Sequence, residues 1–258
     1  MFGINTAYAT EGGIHVALSP YVVGNFFGVP ITATMLTTWL TMLLLITGII
    51  FLRSQLKMVP GKIQLVFELL VGGVFEYMSD ILENRKLART YFPIVMTIFI
   101  FILSLNWLGL LPGVTAIGFY ENQAGLTHFI PLLYPPATDL NITIAFALIA
   151  FFTIEISGVI AIGLFKYTSK FINFKSPLAF LIGIIELFSE LARLISFSFR
   201  LFGNIFAGKT LLVVAMFFIP FIIPVPLLAF EVFVGFIQAF VFAILTLFFI
   251  KLAVMEPH

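Results

Sequence analysis

From Leu178 to Ile219 the chain runs for 42 residues of predominantly apolar character, yet Glu186, Glu190, Arg193, Arg200 and Lys209 are set into that run. As one α-helix at 1.5 Å per residue it would be about 63 Å long, about twice the hydrocarbon thickness of a bilayer. Such a segment must lie steeply tilted or break. A charged side chain at the bilayer centre costs roughly 2.5 to 3.5 kcal/mol on insertion scales, so each one is a candidate for function. Glu155 and Glu231, in neighbouring apolar stretches, bring the number to seven.

Composition agrees with a membrane setting. The chain is 61% hydrophobic and 10% charged, against about 25% charged in an ordinary soluble domain. With 13 basic and 12 acidic residues the net charge is +1, which excludes a nucleic-acid binder and a disordered regulator along with soluble enzymes. The absence of cysteine removes disulfides, thiolate metal sites and cysteine nucleophiles. His15, His128 and His258 have no metal-ligand spacing, so neither a metal nor a cofactor is expected.

Residues 31–51 and 92–112 are uncharged runs long enough to span, and 142–165 is interrupted only by Glu155. With 178–219 and a last stretch at 227–250, after Pro220, Pro224 and Pro226, they predict an all-α polytopic membrane protein of five membrane helices in a single membrane domain, 1–258. Arg53, Lys57, Lys62, Arg85, Lys86, Arg89, Lys166, Lys170 and Lys175 all fall on one side if the N-terminus is outside, whereas 1–30, 113–141 and 220–226 contain no Lys or Arg. That asymmetry makes the basic side cytoplasmic. Residues 1–30 form an external segment without the pattern of a cleaved signal peptide. Between the first two spans, 61–84 places Gln64, Glu68, Glu76, Asp80 and Glu83 on one helical face and Ile63, Phe67, Leu70, Val74 and Ile81 on the other. This pattern reads as an amphipathic helix on the cytoplasmic surface, or as a helix docked on a partner.

At 100° per residue, Glu186, Glu190, Arg193, Arg200 and Asn204 fall within about 80° of one another, a polar stripe on an apolar helix. Lys209 sits about 140° from Asn204 and faces something else. Glu186, Glu190 and Arg193 lie toward the cytoplasmic end, where an interfacial ion-pair ladder is the alternative to a transport role. Arg200 lies deeper. A guanidinium does not lose its proton, so Arg200 acts as a fixed electrostatic barrier, as a temporary partner for a mobile carboxylate, or as a structural bridge between helices.

The strings SFRLFGNIFAG at 198–208 and GFIQAFVFAILT at 235–246 resemble the paired C-terminal helices of subunit a of the rotary F-type ATP synthases, and PATDLNIT at 136–143 is similar to the same family. The resemblance covers nearly the whole chain, and the order of spans matches: one, a surface helix, two, then a long hairpin, tilted as the length of its first arm requires. It implies a stator that passes protons through two offset half-channels to and from the carboxylates of a rotating c-subunit ring, with b-type peripheral stalk subunits and the lipid bilayer as further partners. It places the chain in a bacterial inner (plasma) membrane or, alternatively, a mitochondrial one.

By that resemblance Arg200 faces the ring, Asn204 lies on the same face and Gln238 stands beside the arginine. Glu186, Glu190 and Arg193 line the inner half-channel, and Asp139 and Asn141 the outer one. Lys209 and Glu231 fill two outer positions where relatives commonly pair a carboxylate with a histidine. For a helix tilted about 60°, each residue advances about 0.75 Å along the membrane normal, which brings Lys209 level with Glu231 and Arg200 level with Gln238. Arg200 and Gln238 then come together near mid-membrane, and Lys209 and Glu231 can meet, as a hydrated site in which Glu231 relays protons and Lys209 tunes it or as a dry structural pair. The alternative is a secondary ion or solute transporter, but such folds commonly show duplicated halves with interrupted helices, and no repeat is visible. An intramembrane enzyme would need a base beside Ser196, Ser198 or Thr210, and no span holds a histidine.

Overall fold

The computed structural model describes residues 20–26, 28–57, 60–111, 113–123, 126–171, 176–219 and 222–255. The sequence-based assignments for residues 1–19, Lys175, Pro220 and His258 lie outside the described residues. A hairpin of β1 (Val22–Phe26) and β2 (Val29–Thr32) leads into α1 (Ala33–Gln55). Then come α2 (Lys62–Leu82) and α3 (Arg85–Leu110), a second hairpin of β3 (Gly118–Gln123) and β4 (Leu126–Pro131), and α4 (Leu140–Ile162). A short α5 (Leu164–Thr168), the long α6 (Pro177–Phe218) and α7 (Pro224–Val254) complete the order. The two antiparallel hairpins were not anticipated. They fall in the segments without Lys or Arg.

Side-chain caps set several starts. Thr32, Asn84, Asp139 and Ser176 each accept a hydrogen bond from a backbone N–H of the first turn of α1, α3, α4 and α6, satisfying donors a helix leaves free. Pro177 follows Ser176, where its missing N–H costs nothing. Several boundaries differ from the apolar runs: α1 runs on to Gln55, α3 starts at Arg85, and α7 runs on to Val254, because helices continue into their charged flanks. The third span stops at Ile162 because Gly163 has φ +91°, a conformation that breaks the helix and starts α5. The last helix starts at Pro224, earlier than 227, because prolines fit its first turn.

α7 sits centrally, packed on α3, α4 and α6 and touching α2. Its buried residues Gly235, Ala239, Phe242, Ala243, Leu247 and Ile250 face Ile98, Ile102 and Leu105 of α3, Ala150 and Ile154 of α4, and Phe197 and Leu201 of α6 within one core. Asn106 Nδ2 donates to the Gly235 carbonyl at 3.0 Å and Trp107 Nε1 to the Val232 carbonyl at 3.1 Å, tying α3 to α7. α1 buries only Ala33, Thr34, Thr37 and Thr41 and exposes its apolar remainder, with Leu43 at 63% and Ile50 at 64%. Such a surface belongs in lipid. Among the described residues, α1, α3, α4 and α7 are long and apolar enough to cross a membrane. α6, with its five charges, is one unbroken helix of 42 residues.

α2 packs its C-terminal half on α3 through Met78 and Leu82, while Phe67 and Leu70 near its start are exposed. Lys251 at the end of α7 pairs with Glu83 at 2.7 Å, and that partner holds the Glu83 carboxyl below the usual carboxylate range.

Candidate functional site

Two contacts define the register of α6 against α7. The Phe197 and Phe242 rings lie 4.8 Å apart. Eleven residues onward in α6, from 197 to 208, and eleven back in α7, from 242 to 231, Gly208 lies so close to the Glu231 carboxylate that a Cβ there would collide with it. The helices are therefore antiparallel, and the same register sets Arg200 level with Ala239, next to Gln238.

Arg200 is half-buried and donates to Ser196 Oγ at 3.2 Å. Among the described residues no carboxylate lies within ion-pair distance of it. On the α6 wheel the buried residues Glu190, Phe197, Leu201, Ile205 and Gly208 centre about 100° from Arg200 and about 60° from Asn204. These two polar residues thus project from one edge of the packed face, and Asn204 is exposed. Lys209, nine residues after Arg200, points about 180° away from it.

Toward the start of α6 the polar residues converge with the end of α4 and with α5. Lys170 Nζ lies 2.6 Å from Glu186 and 3.7 Å from Glu190, and Arg193 Nη1 lies 2.5 Å from Glu190. The Arg193 guanidinium also sits 3.9 Å from the Phe249 ring centre. The Glu155 carboxylate faces Glu190, accepts from Tyr167 Oη at 3.0 Å and leaves Oε1 buried without a partner. Burial first, then Glu155, pushes the Tyr167 hydroxyl pKa up, so it remains a donor. Tyr167, Lys170, Glu186, Glu190 and Arg193 line a cavity of about 370 Å³. Lys166 and the apolar Ile162, Phe249 and Leu252 complete much of its wall, and the volume is enough for several waters.

A second polar set gathers near the other end of α6. Asp139, 4% exposed, caps α4 through Asn141 N at 2.9 Å and accepts from Thr34 Oγ1 of α1 at 2.7 Å. The Asn141 side chain is exposed. At the middle of α6, two residues before Arg200, Ser198 shares a buried hydroxyl contact of 3.2 Å with Thr143 of α4. Lys209 Nζ is buried, lacks a hydrogen-bond partner and lies 3.1 Å from the Tyr134 ring centre. Glu231, 4% exposed, rests on Gly208. Lys209 and Glu231 are therefore neighbours in the α6/α7 register, but among the described residues they form no ion pair. The expected meeting fails because the lysine turns to the aromatic ring and the glutamate stays inside the α6/α7 seam.

The family described as ATP synthase A chain matches residues 35–251. The chain belongs to the ATP synthase A chain family. Among its relatives, ATP synthase subunit a of Moorella thermoacetica is 35% identical over 231 residues, 90% of this chain and 94% of the relative. ATP synthase subunit a 3 of Pelobacter propionicus and ATP synthase subunit a of Geotalea daltonii are each 33% identical, over 86% of this chain and 87% of theirs. The chain is a membrane protein with the apolar helices described above.

Apart from Thr34, every residue of the two polar sets lies within the segment matched by the ATP synthase A chain family. Sequence reasoning treated Lys170 as a topology marker and passed over Tyr134, Tyr167 and Thr143. Lys170 and Tyr167 carried no signal of their own, since a basic or aromatic residue at a span's end is ordinary. Thr143 closes the string 136–143, and its polarity inside an apolar helix was the available clue.

Proposed function

We propose that this chain supplies the stationary side of the ion path in a rotary ATP synthase, as two half-channels separated by Arg200. The inner one comprises Glu155, Tyr167, Lys170, Glu186, Glu190 and Arg193. The outer one comprises Asp139, Asn141, Lys209 and Glu231. At 1.5 Å per residue Arg200 lies about 10.5 Å along α6 from Arg193 and about 13.5 Å from Lys209. Polar paths that met would leak ions without turning a rotor. A positive charge between them repels cations attempting the direct crossing.

The observation that carries this reading is the half-buried Arg200, which has no carboxylate among the described residues and sits at the open edge of the α6 face. A buried cation needs a partner. The partner that fits is a carboxylate that arrives from outside this chain, on a ring of c subunits passing this edge with Asn204 and Gln238 nearby. Facing Arg200 the carboxylate is ionised; away from it, in lipid, it travels protonated, because a neutral carboxyl crosses apolar surroundings at far lower cost. In this arrangement α6 is the fifth span, steeply tilted because it is unbroken, α2 lies at the cytoplasmic surface, and b-type stalk subunits hold the chain still. The membrane is the energy-conserving plasma membrane of a bacterium, in keeping with the bacterial sources of the relatives.

The test is ATP-driven proton pumping in inverted vesicles. Arg200→Ala abolishes pumping with the subunit still assembled. Arg200→Lys also fails, since a compact ammonium lacks the planar fork that holds a carboxylate along an edge. Near-normal pumping by both variants would refute the assignment.

A further inference from the structure

The Lys209 ammonium is a buried cation that takes no hydrogen bond among the described residues and instead sits 3.1 Å from the centre of the Tyr134 ring. Glu231 is one residue away in the α6/α7 register, resting on Gly208. Among the described residues the lysine and the glutamate form no ion pair, so the ring and not the carboxylate is what the ammonium meets. A cation over an aromatic face is attracted by the ring's negative face, most strongly when desolvated, and Tyr134 is itself held. Its backbone N–H donates to Thr37 Oγ1 at 2.9 Å, and the Tyr21 ring packs edge-on at 5.1 Å. Pro135 and Pro136 follow it, and Pro135 packs against Gly109 of α3. The ring is a fixed platform contributed by the connection that leads into α4. Burial raises the Tyr134 hydroxyl pKa, so the ring meets the lysine as a neutral phenol.

We propose that Tyr134 is a positioning residue of the outer half-channel: its ring holds the Lys209 ammonium away from Glu231, which leaves the Glu231 carboxyl free to exchange protons. The inference rests on the reading of Glu231 as a proton-relay group. The titratable groups that meet here are Lys209 from α6, Glu231 from α7, and Tyr134 and Tyr21 from the outer connections. Asp139 is engaged by Thr34 and by the α4 backbone. Without the ring, Lys209 swings to Glu231, and a cation beside a carboxylate favours its charged form. Proton uptake from the outside then needs a more acid medium.

The experiment is proton-driven ATP synthesis by inverted vesicles carrying the complete synthase, with the rate recorded against lumenal pH and subunit content measured by immunoblot. Tyr134→Leu shifts the profile to the acid side by about one pH unit, whereas Tyr134→Phe, which keeps the ring, retains the original profile. Tyr134→Leu/Lys209→Ala gives the profile of Lys209→Ala alone, because with no ammonium the ring has nothing to hold. An unshifted Tyr134→Leu profile, or a shift that persists without Lys209, overturns the positioning role. Glu231→Gln separates the two levels. If it blocks synthesis while Tyr134→Leu is unshifted, only the role of Tyr134 falls; if it leaves synthesis normal, the relay reading and the inference fall together.

Discussion

The Glu231 carboxylate of α7 occupies the space that a side chain would take at Gly208 of α6. A small residue and an acid on antiparallel helices thus form one feature. Gly208 is what lets a carboxylate sit within a helix seam.

Gly208→Ala tests that feature. The added methyl collides with the carboxylate, the far end of a flexible side chain, so the fold accommodates it by turning Glu231 to another rotamer. Subunit content in the membrane should stay near normal, while pumping falls on the order of tenfold, as misplacing a functional group does. Normal pumping would show that the position of Glu231 is immaterial.

Asp139 joins two helices as well as capping one. Asp139→Ala removes an N-cap worth about 1 kcal/mol and the Thr34 hydrogen bond, a further cost of about 0.5–1.5 kcal/mol, since the Thr34 hydroxyl can turn to Thr32 Oγ1 at 2.8 Å. Thr34→Val should cost less and should add little in the Asp139→Ala background. Thermal unfolding of the purified subunit in detergent measures this, and strictly additive losses would mean the Thr34 bond contributes nothing.

At the inner cavity Lys170 and Arg193 are unequal. Lys170 and Glu186 keep about a third of their side-chain surface exposed, whereas Arg193 and Glu190 are 14% and 4% exposed. Lys170→Ala should therefore change stability by about 1 kcal/mol or less. Arg193→Ala, which strips a buried carboxylate of its nearest cation, should cost about 3 kcal/mol, partly rescued by Glu190→Gln. Heat-inactivation midpoints of the assembled complex decide this, and equal losses would contradict the ordering.

Orientation is checked by thiol labelling, which the lack of native cysteine makes clean. Tyr120→Cys, at a position 75% exposed in β3, should react only from outside. Arg85→Cys, whose native side chain is 67% exposed, should react only from the cytoplasm. Reversed labelling would exchange the two half-channels.

The apolar runs, the polar stripe on α6 and Arg200 within it were legible in the sequence because they depend on helical periodicity and on the cost of charge in lipid, both local quantities. Whether α6 breaks was open from its length, and local preference settles that: no proline or positive-φ glycine interrupts the helix after its first residue, Pro177. Tertiary structure decided the pairings. The α6/α7 register puts Lys209 beside the level of Glu231, but only packing turned the lysine toward Tyr134 and seated the glutamate on Gly208. The inner cavity depended on Gly163, whose positive φ ends α4 and lets α5 present Tyr167 to Glu155, and on Lys170 reaching α6 from the following turn. Periodicity reports which face of a helix is polar. Which partner that face meets depends on how separate segments pack, and a one-dimensional pattern carries no distance between them.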